Sequence, residues 1–220
     1  MKKPLILLSI FSIVGYASEI EESEKVNFHE IRLSLIALPT SISSHLENKS
    51  TKKTYDATYS IDSAGELSIG YQFSHYVAPT LAVLVGANLD IIGTEDNANG
   101  VTDTTSNVGP SLHLGASLRP VDFFNMEGLV FGGFGTSEEK VKGAYSKDIS
   151  SSSGSYTQVG VELRFVFTMG PGFQLFAQVG YIGLRQTLKY SRDSSINLGE
   201  LEFTNKADGG TYGLGAGWRF

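Results

Sequence analysis

Residues able to do chemistry are sparse in this chain of 220 residues, which has four histidines and no cysteine. Without thiols there is no disulfide framework and no thiolate metal site. His29-Glu30 opens like a metalloprotease signature, but Leu33 stands where the second histidine belongs. That stretch also alternates like a strand, so no metal is expected there. Glu95-Asp96-Asn97-Ala98-Asn99-Gly100 echoes a calcium loop but lacks its leading Asp and closing Glu, which leaves a solvated turn. His113 stands on the polar side of an alternating segment, where a hydrogen-bonded structural role is expected. Gly213, Gly215 and Gly217 repeat every second residue, the spacing of a strand and not of a nucleotide-binding turn. No cofactor is implied, and no catalytic set is assigned.

The elements that carry these residues are strands. From Glu30 onward the dominant period is two. It is clearest at the end, where Tyr212, Leu214, Ala216, Trp218 and Phe220 alternate with three glycines and Arg219. Seven further alternating segments precede it, around residues 30–35, 66–73, 81–90, 111–119, 124–130, 158–167 and 174–181. The links between them alternate in length. Those near Ser74–Pro79, Pro120–Asp122 and Met169–Gly172 are short and rich in turn residues. Those spanning 39–63, 92–107, 136–154 and 189–209 are long and polar. Eight strands with all long links at one end predict an eight-stranded antiparallel up-and-down transmembrane β-barrel.

Aromatics and charges decide which face meets lipid. Tyr71, Phe73, Phe124, Phe165, Phe167, Phe173, Trp218 and Phe220 gather near the short links, and Tyr156, Tyr181 and Tyr212 near the long ones. Two such girdles suit the two membrane interfaces. The other face carries charge, and an unpaired interior charge is costly. We therefore expect a polar ladder in the lumen made of Glu30, Arg32, Glu127, Glu162, Arg164 and Arg219. Glu127 and Arg164 should lie at similar depth, and Glu162 should reach Arg32 across the lumen.

The N-terminus reads as an export signal. Lys2 and Lys3 precede an apolar run from Pro4 to Val14, and small residues around Ala17 suit cleavage. Residues 1–17 are thus expected to be a cleavable secretory signal peptide, with residues 18–220 as one barrel domain. Of 17 basic residues, removal of Lys2 and Lys3 leaves 15 against 23 acidic ones, a net charge of −8. That balance argues against nucleic acid as a partner.

The segment from Tyr212 to Phe220 resembles the C-terminal strand of bacterial outer-membrane barrels, and the whole chain is similar to the small OmpA/OmpX-type barrels. The resemblance implies an outer-membrane location and a monomer. It also implies that Tyr212, Leu214, Trp218 and Phe220 form the signal read by the barrel assembly machinery. Some barrels of this kind modify lipid A through a loop histidine with Ser or Asp. His45, with Ser43, Ser44 and Asp56, has the residue types, but residues 18–27 lack the amphipathic helix of the acyltransferase kind. Lys49, Lys52, Lys53, Lys140, Lys142 and Lys147 have the charge to meet lipopolysaccharide phosphates. A scaffold presenting surface loops is the leading expectation. A small-solute channel is the alternative and a lipid-modifying enzyme the third, because eight strands leave room only for side chains.

Overall fold

The computed structural model describes residues 27–98, 100–142, 148–170, 172–190 and 201–220. The expected signal peptide and Lys147 lie outside them. Ten strands run in order: β1 (Asn27–Ala37), β2 (Ser41–Asn48), β3 (Thr54–Ser60), β4 (Ser63–Ala78), β5 (Leu81–Ala98), β6 (Val101–Val121), β7 (Phe124–Lys142), β8 (Asp148–Met169), β9 (Phe173–Tyr190) and β10 (Leu201–Arg219).

Eight of them close into an antiparallel ring, β1-β4-β5-β6-β7-β8-β9-β10, with β10 returning to β1. The seam runs from Glu30 opposite Arg219 to Ala37 opposite Tyr212. It is finished by Phe220 N donating to His29 O at 2.9 Å and His29 N donating to Phe220 O at 3.2 Å. Closure leaves no free edge in the membrane-spanning ring, which hydrocarbon requires because it offers backbone groups no substitute partner.

The long links differ from expectation. Residues 39–63 are not a loop for most of their length but the hairpin β2–β3, and β2 pairs with the upper part of β10, Lys206 opposite Ser43. The other three are strand through most of their span, so β5–β6, β7–β8 and β9–β10 rise above the ring as hairpins. Thr, Ser and Val alternate through these stretches, and such residues pair well in strands even when both faces are wet. The outer edge of β3 pairs with no other strand among the described residues.

Polarity is inverted relative to a water-soluble barrel. Leu33, Leu35, Leu112, Val130, Val161, Leu214 and Trp218 are about half exposed or more, whereas Glu30, Glu127, Gln158 and Gln174 are buried. Tyr156 departs from the expected girdle. It is 1% exposed and points inward, because its even position shares the parity of Gln158 and Glu162. Phe134, 67% exposed, stands outward near the long-hairpin end with Tyr181 and Tyr212.

The inner glycines have a packing reason. Phe176 lies in register with Gly215, and a Cβ on Gly215 would fall 2.2 Å from the Phe176 ring and 2.5 Å from Leu33 O. Phe131 likewise covers Gly160, where a Cβ would meet the ring at 2.4 Å. Large inward rings fit a narrow lumen only where the neighbouring strand has no side chain. Gly215→Val should therefore cost on the order of 1–3 kcal/mol through overpacking, read as a lower unfolding midpoint in detergent than for Gly210→Val, which has no neighbour closer than 4.0 Å.

Candidate functional site: a charged lumen beneath an acidic vestibule

The period of two sends Glu30 and Arg32 of β1, Glu127 of β7, Glu162 and Arg164 of β8 and Arg219 of β10 into the lumen, where the first five are all at most 8% exposed. Arg32 Nη1 donates to Glu127 Oε2 at 2.5 Å and Nη2 to Oε1 at 2.7 Å, a two-pronged contact across the barrel. Arg32 also donates to Glu30. Glu30 Oε1 then accepts from Arg219 Nε at 2.7 Å and from Gln174 Nε2 at 3.2 Å. Arg164 donates to Glu162 on its own strand and reaches Gln72 Oε1 at 3.4 Å.

The pairing differs in detail from the spacing argument. Glu127 and Arg164 are register partners as expected, yet Glu127 takes Arg32, and Glu162 takes Arg164. A fork donor across the lumen satisfies both oxygens of Glu127, which a neighbour on the adjacent strand would reach from one side only. Phe176 adds a piece that charge patterning does not show. The guanidinium carbons of Arg32 and Arg164 each lie 5.5 Å from its ring centroid, so one ring serves two cations. Inward glutamines and Asp90 extend the polar layer, with Gln158 Nε2 donating to Asp90 Oδ2 at 2.6 Å and Ser68 Oγ to Oδ1 at 2.7 Å. Their inward parity was the available signal. Tyr76, Ala82, Leu84 and Leu129 pack into an apolar cluster in the lower half of the lumen.

Above it the rising hairpins surround a narrow vestibule that opens to solvent. Ile42, Tyr59, Ile61 and Ile182 supply apolar lining, and Asp96, Asp103 and Glu139 supply acid. Glu139 stands five residues beyond Phe134 on β7, outside the spanning segment. Its Oε2 accepts from Ser152 Oγ at 3.1 Å. Burial, then the charge of Asp103, pushes the Glu139 carboxyl up to about 7, and burial raises Asp103 as well.

The remaining sequence candidates do not assemble into a catalytic set. His45 Nδ1 lies 2.6 Å from Asp56 Oδ1 across β2–β3, but the pair sits in solvent, with side chains 46% and 80% exposed. Ser43 Oγ is 3.4 Å from Thr58 Oγ1, and no hydrogen bond joins it to His45. His113 stacks on Phe131 at 5.3 Å, with Nε2 3.0 Å from both Ser111 and Asn88. Among the described residues no three His, Cys, Asp or Glu side chains converge as metal ligands. Lys49 is tied to Glu47 at 2.7 Å and Glu202 at 3.4 Å, and Lys52 lies 4.0 Å from Glu47. Lys53, Lys140 and Lys142 are exposed.

A closed ring with apolar side chains outward and ion pairs inward defines a transmembrane β-barrel, the architecture that bacterial outer membranes hold. No protein-family model matches the chain, and no curated protein does. Solved structures do. The attachment invasion locus protein Ail of Yersinia pestis is 17% identical, covering 87% of this chain and 98% of its own at a TM-score of 0.41. OprG of Pseudomonas aeruginosa is 14% identical, covering 89% and 97% at 0.47. The Escherichia coli outer-membrane protease OmpT is 9% identical, covering 92% and 99% at 0.49. At such scores any functional reading rests on this chain's own geometry.

Two outcomes follow from the lumen and the vestibule. Arg32→Ala leaves Glu127 in the interior without its ion pair, while Glu30 keeps Arg219, and should cost about 3–5 kcal/mol. Arg164→Ala should lower the unfolding midpoint by less, and Arg32→Ala/Glu127→Ala should recover part of the first loss in a double-mutant cycle. For Glu139, the folded state holds its proton more tightly than the unfolded chain does. Its contribution is present at pH 4 and fades as pH rises through about 7. Glu139→Gln should thus match the parent near pH 4 and exceed its unfolding midpoint at pH 8.

Proposed function

We propose that the protein is a non-catalytic outer-membrane scaffold that holds a raised wall of strands above the membrane for contact with surface partners. The observation that carries this reading is the blocked lumen. Leu84, Val166, Phe176 and Leu129 are 0–4% exposed, and the Arg32–Glu127 bridge spans the lumen among them. No continuous polar path passes such a plug, which disfavours the channel alternative. Above the membrane the construction is reversed, with eight strand segments reaching outward and one unpaired edge on β3. An open edge accepts an extended polypeptide by strand addition. Tyr55 and Tyr59 on that strand are 61% and 39% exposed, and such rings are frequent anchors at interfaces.

Insertion would use the C-terminal strand. Tyr212, Leu214, Trp218 and Phe220 face outward and are 50–70% exposed, the presentation that reading by the assembly machinery needs. Of the six lysines expected to meet lipopolysaccharide, Lys53, Lys140 and Lys142 are exposed, whereas Lys49 is held by Glu47 and Glu202 and Lys52 lies near Glu47. Among the described residues His45 bonds Asp56 and no nucleophile, which disfavours the lipid-modifying alternative.

Planar-bilayer recording is the direct test. The scaffold reading expects no stable conductance steps above background; reproducible steps that vanish on thickening the plug, for instance with Ala82→Leu, would support the channel. Lipid A from cells with and without the protein should show one acylation pattern.

A further inference from the structure

Inside the charged layer the barrel keeps a small internal cavity of about 10 Å³, lined by Arg32, Ser34, Gln72, His113, Arg164 and Phe176 among others. That is room for one water-sized guest. The polar atoms around it are lopsided. Arg32 gives both terminal nitrogens to Glu127 and Glu30, and its Nε makes no hydrogen bond. His113 is also short of a partner. Its Nε2 lies 3.0 Å from Asn88 Nδ2, and an amide nitrogen can only donate, so Nε2 accepts and the ring proton sits on Nδ1. That Nδ1 is buried and unpartnered. Gln72 Nε2 leans towards Glu127 without a hydrogen bond of good geometry. All three residues are 4–7% exposed. Among the described residues around the cavity, no buried side-chain acceptor stands without a partner. Donors are in surplus, and unmet buried donors are costly.

The choice of guest follows from that surplus. A water would meet the donors with its lone pairs but must then place two hydrogens of its own. Only the hydroxyls of Ser34 and Ser68 could take them, and Ser68 Oγ already accepts from Asn88 at 2.9 Å and donates to Asp90 at 2.7 Å. An anion has no hydrogens to place. The charged side chains on the cavity wall are Arg32 and Arg164, each with its guanidinium carbon 5.5 Å from the Phe176 ring centroid. Glu30, Glu127 and Glu162 bond these arginines but do not line the cavity. Asp90 and Glu66 stand nearer the vestibule, and Asp90 is bonded to Ser68 and Gln158. A space of this size admits a monatomic ion and shuts out phosphate or sulfate. We propose that a chloride ion occupies this cavity, held by Arg32 Nε and His113 Nδ1 beside the Arg164 cation. Side chains fill the lumen around it, so the ion enters as the barrel closes.

The test refolds the full-length protein into detergent in sodium chloride, sodium bromide or sodium gluconate at one ionic strength. The unfolding midpoint should be at least about 2 °C higher in either halide than in gluconate. Salts also act on any protein surface, so this gain is read against His113→Phe and Gln72→Leu, each of which removes a donor and adds no charge. Both variants should lose most of it. Crystals of the parent grown in bromide should show an anomalous peak between Arg32 Nε and His113 Nδ1, and His113→Phe crystals should lack it. An equal halide gain in the parent and both variants overturns the site. So does a cavity without bromine signal, whether it holds an ordered water or nothing, and so does bromine at the protein surface alone, an adventitious ion only. The heat-induced gel shift of every sample keeps folding separate. If His113→Phe does not fold, Gln72→Leu and the bromine signal of the parent decide.

Discussion

A strand edge inside hydrocarbon has nothing to bond with except another strand, and β1 meets that demand on both sides. Residues 30–37 serve two ladders at once, to β4 on one side and β10 on the other. The cost of a failed seam is a row of unpaired amides and carbonyls in lipid, several kcal/mol for each group. The ion-pair layer is placed where it guards that seam. Glu30 on β1 holds Arg219 on β10, and Arg32 two residues on fixes the seam to Glu127 on the far wall. A buried ion pair adds little net stability against an apolar replacement. It does punish misregister, because a slip of one residue would turn these charges into lipid.

The lumen is layered along the axis, and each layer narrows what the barrel can do. Apolar side chains and the ionic groups share the short-turn half, and polar amides lead up to the acidic vestibule. Small rigid barrels usually place function at their ends, and here the two ends differ. The short-turn half is filled with side chains. The other end carries the raised strands, the open edge of β3 and the acids.

Much of the ring was legible from alternation alone. Eight segments, the lipid-facing parity and the six inward charges all follow from a period of two that hydrocarbon and a narrow lumen impose together. What escaped followed from pairing across the sheet. Residues 39–63 are polar on both faces, so nothing in their pattern distinguishes a wet hairpin from a loop. Tyr156 was misplaced because its ring type outweighed its parity, and parity was the better guide. Glu127 could not be assigned to Arg32 from spacing, since β1 and β7 meet only across the lumen. The vestibule acids lie on β5, β6 and β7 and gather only once those strands rise beyond the membrane.

Which side of the wall is greasy decides the barrel's orientation, and the single tryptophan reports on it. Trp218 is half exposed on the outer face of β10, beside the seam and near the short-turn end. Full-length protein refolded into vesicles should lose most of its tryptophan emission when the acyl chains are brominated, and aqueous iodide should have little effect. Emission indifferent to bromine and quenched by iodide would place that wall in water and contradict the fold's orientation.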